Sequence, residues 1–248
     1  MADSYGSINP DIQQTAEHPK CDTVRLVLFD IDGTLVSTGG AGMKAFGEAF
    51  EAAFGVGDVT GKIKFAGRTD YSLFREMCRY GGVDCNSETR ESFFTHYLRL
   101  VDSHLKENTG GPFPGVVRML DDLAAMPNAP ILGLLTGNIR EGARRKLSTY
   151  GLWDRFPFGG FSDDNEDRNL IAAAAKTKGG EYLECSLKGP EIVVVGDTPR
   201  DIECGRHIGA LTLAVATGGA TLEALQACEP DWSVPDLTHL SAAEICGR

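Results

Sequence analysis

The sequence predicts an α/β fold in which a doubly wound parallel sheet carries an all-helical insertion. Three observations predict it. Short, largely apolar strand-like runs recur at 24–29, 131–135, 192–195 and 211–215, with a weaker one at 232–234. Helical patterns lie between them, at 141–150, 170–175, 201–208 and 222–227. The stretch 41–112 has no strong strand signal and reads as helices at 43–54, 72–80 and 87–106. Strands that are apolar nearly throughout are covered on both faces, and their alternation with helices makes the sheet parallel. Sheets of this kind bind ligands beyond the C-terminal ends of their strands.

The length of 248 residues fits one domain, or one domain with an insertion. A hydrophobic fraction of 42% supplies a core, and a charged fraction of 24% is ordinary for a globular chain. The formal net charge of -11 argues against a nucleic-acid surface, which would carry a basic stripe. Seven cysteines without a C-x-x-C pair read as free thiols in a reducing cytosol, so the expected location is cytoplasmic. No run is long enough to span a membrane. Residues 1–20 are polar with no apolar core, which excludes a secretory signal and predicts a mobile tail. The expected division is a tail at 1–20, a core at 21–40 and 113–248, and a helical insertion at 41–112.

The first strand ends in Phe29-Asp30-Ile31-Asp32-Gly33-Thr34-Leu35. Residues two apart on a strand point the same way, so Asp30 and Asp32 share a direction until the turn at Gly33 frees the second to swing aside. Two like charges on one patch resist joint ionisation unless a cation intervenes. Their roles should therefore differ. Asp30 suits an ionised nucleophile that attacks phosphorus beside a divalent metal. Asp32 suits a proton carrier for the leaving oxygen and then for water. Gly33 permits positive φ and lets backbone N–H groups approach a phosphate. An Asp-x-Asp pair by itself also fits a strand-ending turn in which both acids are merely solvated.

Two later strands end in comparable ways. Ile131 to Leu135 runs into Thr136-Gly137-Asn138, which alone would be read as a turn. Ile192 to Val195 runs into Gly196-Asp197-Thr198-Pro199-Arg200-Asp201. Here Pro suits a first helical turn and either acid suits a helix N-terminus. Asp30, Thr136 and Asp197 thus stand at three strand ends on one edge of the expected sheet.

Taken in order, these segments resemble the haloacid dehalogenase superfamily, whose members are mostly phosphatases. The resemblance covers nearly the whole chain after Cys21 and implies a Rossmann-like core with an inserted helical cap. It implies Asp30, Asp32, Thr136 and Arg168 as catalytic residues. Gly33, Gly137, Asn138 and Arg68 would bind substrate. Asp30, Asp32 and Asp197 would hold Mg2+, and Asp201 would support the metal shell or the cation. The family's third element is commonly a lysine before a proline, and none stands so placed between Thr136 and Asp197. A subset resembles Ser162-Asp163-Asp164-Asn165-Glu166-Asp167-Arg168, with Arg as the cation, and Lys176 and Lys178 are the other candidates. A guanidinium can hold a carboxylate and a phosphoryl oxygen in fork geometry. An arginine among acids at a helix start also fits plain surface exposure. The same acidic run lacks the glycine and terminal glutamate of an EF-hand.

Gly39, Gly40 and Gly42 precede the helical insertion, and Gly110, Gly111, Pro112 and Pro114 follow it, as paired hinges. An insertion at this place resembles the family's cap, which closes over small substrates and excludes water. Within it, Gly67-Arg68-Thr69-Asp70 resembles the loop that dips into the active site, where Arg68 would meet a carboxylate or second polar group. Thr69 or Asp70 suits a helix N-cap equally well. No Walker A lysine, G-x-S-x-G elbow or H-E-x-x-H is present, and His207 reads as surface or packing.

The expectation is a magnesium-dependent phosphomonoester phosphatase with an aspartyl-phosphate intermediate, of the phosphoglycolate-phosphatase-like branch. Its partner would be a small phosphorylated metabolite, with no nucleic acid and no membrane. Asp32 speaks against a dehalogenase, which has no oxygen leaving group to protonate. A phosphomutase like beta-phosphoglucomutase and a non-catalytic phosphometabolite-binding protein stand as alternatives. The sequence leaves the oligomeric state open, a homodimer included.

Overall fold

The structure, a computed structural model, describes residues 24–57, 59–107 and 109–247. The segment 1–20, expected to be a mobile tail, lies outside them. In chain order the elements are β1 (Leu26–Phe29), β2 (Val36–Ser37), α1 (Ala41–Phe54), α2 (Asp70–Gly81), α3 (Ser87–Glu107), β3 (Gly111–Pro112) and α4 (Val116–Ala124). They continue with β4 (Ile131–Leu135), α5 (Arg140–Thr149), β5 (Phe158–Gly160), α6 (Arg168–Tyr182), β6 (Ile192–Gly196) and α7 (Pro199–His207). The chain then adds β7 (Leu211–Val215), α8 (Leu222–Gln226), β8 (Trp232–Val234) and α9 (Ala242–Ile245).

Six strands form one parallel sheet in the order β5-β4-β1-β6-β7-β8. The period of two along β1 sets its two faces. Val27 and Phe29 pack with Met119, Leu120, Ala143 and Leu147 of α4 and α5. Leu26 and Leu28 pack on the opposite side with Ile171, Ala175, Cys204 and Ile208, on or just past α6 and α7. Both faces are therefore closed to water, as the uninterrupted apolar strands require. Each fully buried Leu, Val or Phe contributes roughly 1.5–3 kcal/mol.

Helices α1, α2 and α3 have their own apolar core, built on Phe46, Phe50, Phe74, Met77, Phe93 and Tyr97. Phe46 meets Phe93 and Tyr97 edge-on, with ring centroids 5.1 and 4.7 Å away, the geometry that ring quadrupoles favour. The segments leading into and out of this cap pair with each other as the antiparallel ribbon β2–β3, Val36 opposite Pro112 and Ser37 opposite Gly111. Of the expected hinge residues, Gly111 and Pro112 lie in this ribbon, whereas Gly40 caps α1 and Gly42 lies within it. Absent from the sequence reading are this ribbon, the short strand β5, helices α4 and α9, and the extension of α6 to Tyr182. Among the described residues, no helix is long and apolar enough to cross a membrane.

Candidate active site

Asp30, Thr136 and Asp197 immediately follow β1, β4 and β6, three neighbouring strands. Phe29 is in register with Leu134 on one side and Val195 on the other, so the three polar side chains emerge along one edge. The winding changes sides at β1, which makes this edge the crevice of a doubly wound sheet. Asp30, Thr136 and Asp197 are all buried there.

Gly33 has φ 88°, and a β-carbon on it would lie 2.5 Å from Asp197 Oδ2; one on Gly218 would lie 1.7 Å from the same oxygen. The Asp197 carboxylate occupies the space these two glycines leave. Thr34 Oγ1 donates to its Oδ1 at 3.2 Å. Oxygen atoms of Asp30, Asp197 and Asp201 all lie within 4.8 Å of one another. Asp201 is fully engaged: it accepts from the Arg168 guanidinium, and from Thr198 N and Oγ1 at 3.0 and 2.6 Å. Those Thr198 bonds cap α7, so the helix-start and support roles expected of Asp201 coexist. The same Arg168 nitrogen stands 3.5 Å from Asp30 Oδ1.

Burial, and then the neighbouring Asp201 charge, raise the Asp30 carboxyl well above its ordinary range. The same two causes, in the same order, push Asp197 up to about 7. Three buried carboxylates with one guanidinium among them leave an excess of negative charge. Their hard oxygen donors suit a divalent cation such as Mg2+.

A second cluster forms beside the first. Lys146 Nζ donates to Asp32 Oδ1 and Oδ2 at 2.9 and 2.7 Å, and to Asn138 Oδ1 at 2.6 Å. Asn138 Nδ2 donates to Asp32 Oδ2 at 2.7 Å and to Thr136 Oγ1 at 2.8 Å. The Asp32 side chain therefore turns to Lys146 and Asn138 and is not part of the carboxylate trio. Lys176 and Lys178 lie elsewhere, bonded to the Ile208 carbonyl and to Asp164. Arg168 is thus the cation that the fold brings to Asp30.

The cap is seated on this edge. Asp70 N donates to the Gly137 carbonyl at 2.7 Å, and Ile139 N donates to Asp70 Oδ2 at 2.8 Å. Thr69 caps α2 by accepting from Ser72 N, and its hydroxyl donates to the Glu166 carbonyl at 2.9 Å. A cavity of about 300 Å³ remains between the layers. Asp30, Thr136, Arg168 and Asp197 line its floor, and Met43, Phe46, Phe65, Leu73 and Tyr97 line its cap side. Arg68 also lines it, but its guanidinium bonds Ser72 Oγ at 3.1 Å and Glu76 Oε2 at 2.8 Å on α2, the helix that follows it.

Sequence reasoning passed over Lys146, which falls within the helical pattern at 141–150. Its signal was present: Ile139, Gly142, Ala143, Lys146 and Leu147 fall on one face at helical spacing, and Lys146 is the one charge there.

The model of the haloacid dehalogenase-like hydrolases matches residues 27–215. The chain is 26% identical over 221 residues to the pyrophosphatase PpaX of Halalkalibacterium halodurans, covering 88% of this chain and 96% of that one. It is 25% identical over 218 residues to the phosphoglycolate phosphatase of Synechococcus elongatus, covering 84% and 92%. The fold superposes on a beta-phosphoglucomutase from Clostridium difficile with TM-score 0.68 at 16% identity, over 90% of this chain and 95% of that one. Three neighbouring strand ends converging on one buried carboxylate crevice, under a helical cap, are what this family match spans: the chain belongs to the haloacid dehalogenase-like hydrolases.

Proposed function

We propose that this protein is a phosphatase that hydrolyses small phosphomonoesters through a phosphoryl group carried on Asp30. The observation behind this reading is the unequal engagement of the carboxylates. Asp201 and Asp32 are held on both oxygens, whereas Asp30 faces the cavity with Arg168 at 3.5 Å as its one side-chain partner among the described residues.

In the first step an Asp30 oxygen bonds to phosphorus, the bridging P–O bond breaks, and Asp32 delivers a proton to the departing oxygen. In the second, water bonds to phosphorus, the Asp30–phosphorus bond breaks, and Asp32 takes the water proton. Arg168 and the Thr136 hydroxyl would hold the non-bridging oxygens, and the cap would keep bulk water from the acyl phosphate. Asp30 and Asp197 would hold Mg2+ with Asp201 behind, whereas the Asp32 side chain, expected among the ligands, is taken up by Lys146 and Asn138. When bound, the ion would offset the charge of the carboxylates and of the phosphoryl oxygens.

A cavity of about 300 Å³ suits a phosphoryl group on a small organic residue such as 2-phosphoglycolate. Pyrophosphate belongs in the same comparison, because a pyrophosphatase is among the relatives. The free thiols Cys78, Cys85, Cys185, Cys204 and Cys228 suit a reducing cytoplasm.

The test is phosphate release, with and without chelator, across 2-phosphoglycolate, sugar phosphates, nucleotides and pyrophosphate. Chelator is expected to abolish release, and Asp30→Asn to abolish it with the melting transition intact. Appreciable turnover by Asp30→Asn would refute the nucleophile. Hexose-phosphate interconversion without release would favour the mutase alternative.

A further inference from the structure

We infer that Lys146 is the positioning residue for the proton carrier Asp32, and that its contribution scales with how badly the leaving group needs a proton. The inference rests on the reading of Asp30 and Asp32 above.

Asp32 is otherwise poorly held. Its side chain is 43% exposed at the tip of β1, just past which Gly33 bends the chain. A free aspartate at such a place would move among rotamers, and a proton carrier must stay within hydrogen-bond reach of its target. Lys146 grips both carboxylate oxygens, at 2.9 and 2.7 Å, and Asn138 adds a bond to Oδ2 at 2.7 Å. The third ammonium bond, to Asn138 Oδ1 at 2.6 Å, closes a ring joining Lys146, Asp32 and Asn138. Asn138 in turn bonds Thr136 Oγ1 at 2.8 Å, so the ring is tied to the strand end that faces the phosphoryl group.

The charge of Lys146 also acts on buried Asp70, but all three of its hydrogen bonds go to Asp32 and Asn138. Lys146 is 5% exposed on the buried face of α5. A buried ion pair is weak evidence for stability, and an apolar side chain of similar volume commonly serves as well. The cap makes room for the charge: a β-carbon on Gly42 of α1 would lie 3.2 Å from Lys146 Nζ. The ammonium also lines the cavity beside Asp32. A charge kept at this seam, spending its protons on one carboxylate and that carboxylate's other partner, is explained by what the carboxylate does.

The test compares two esters. An alkyl phosphate such as 2-phosphoglycolate or glycerol phosphate expels a basic alkoxide that needs a proton. The departing p-nitrophenolate of p-nitrophenyl phosphate needs none. Lys146→Met is expected to lower kcat about 100-fold on the alkyl phosphate, the low end of general-acid contributions. On p-nitrophenyl phosphate kcat should stay within about threefold, as set by the same requirement. Lys146→Arg, whose fork can hold both carboxylate oxygens, should recover at least about tenfold of the alkyl activity. Should Lys146→Met fail to fold, the same ratio is read from Gly42→Ala, which crowds the ammonium from the cap. Equal losses on both esters, or a rise in KM with kcat unchanged, would overturn the inference. A parent enzyme inert towards both esters would instead sink the Asp30 reading beneath it.

Discussion

Gly137 lies so close to the main chain of Arg68 that a β-carbon on it would sit 2.1 Å from the Arg68 carbonyl oxygen. The strand-end turn of the core and the dipping loop of the cap therefore touch backbone to backbone. The bond from Asp70 N to the Gly137 carbonyl, at 2.7 Å, fixes the register of that contact.

Gly137→Ala must push this loop outward. Overpacking of this kind costs about 1–3 kcal/mol of stability, and a misplaced closing element costs on the order of 100-fold in rate. We expect kcat/KM for phosphate release to fall by that order while the protein stays folded. A variant with parental kinetics would show that the contact does not govern closure.

Asp70 gives a pH signature. Burial, the largest cause, raises its carboxyl from 3.8 to about 7, against the pull of Lys146 and of the Ile139 N–H. Below pH 3.8 the group is protonated folded and unfolded, and its contribution to stability is fully present. Between pH 4 and 7 the unfolded chain ionises first, so that contribution is lost as pH rises through the folded value. Three units correspond to on the order of 4 kcal/mol. Asp70→Asn removes the titration, so its stability advantage over the parent should be small near pH 4, grow to pH 7 and level off. Urea melts at several pH values measure this, with the other acids common to both proteins. An advantage that does not change with pH contradicts the assignment.

Divalent-ion binding has a readout apart from turnover. A ligand that binds only the folded state at 100 times its Kd stabilises it by about 2.7 kcal/mol. Magnesium at such an excess should raise the melting temperature of the parent. Asp197→Asn, which keeps the shape and removes one of the crowded carboxylates, should abolish the shift. An equal rise in both proteins would place the ion elsewhere.

Arg168 and Lys176 can be separated directly. Arg168 lies 3.5 Å from Asp30, whereas Lys176 bonds the Ile208 carbonyl at 3.0 Å. Arg168→Ala also strips Asp201 of its buried counter-ion, so it should cost about 3–5 kcal/mol of stability as well as nearly all phosphate release. Lys176→Ala should stay near the parent in both. The reverse pattern would move the cationic role to the lysine.

Much of this architecture is legible in the chain. The strands carrying Asp30, Thr136 and Asp197 are short apolar runs that stop at a polar residue, and those features survive in a one-dimensional string. The strand Phe158–Gly160 is not legible, because two of its three residues are glycine. Its extended form comes from pairing with β4, and its tolerance of glycine from Ile171, whose carbonyl oxygen would lie 2.5 Å from a β-carbon on Gly160. Arg68 marks a similar boundary: the sequence places it at the dipping loop, but only the fold decides that its guanidinium lies along α2 against Glu76.

The sequence by itself determined the family, the alternation of strand and helix, and the three strand ends that meet, because local patterning and fixed spacing act through the backbone. Tertiary structure alone decided which cation meets which carboxylate. Arg168 is 138 residues from Asp30 and Lys146 is 114 from Asp32, and electrostatic pairing depends on distance in space, which packing sets and chain order does not.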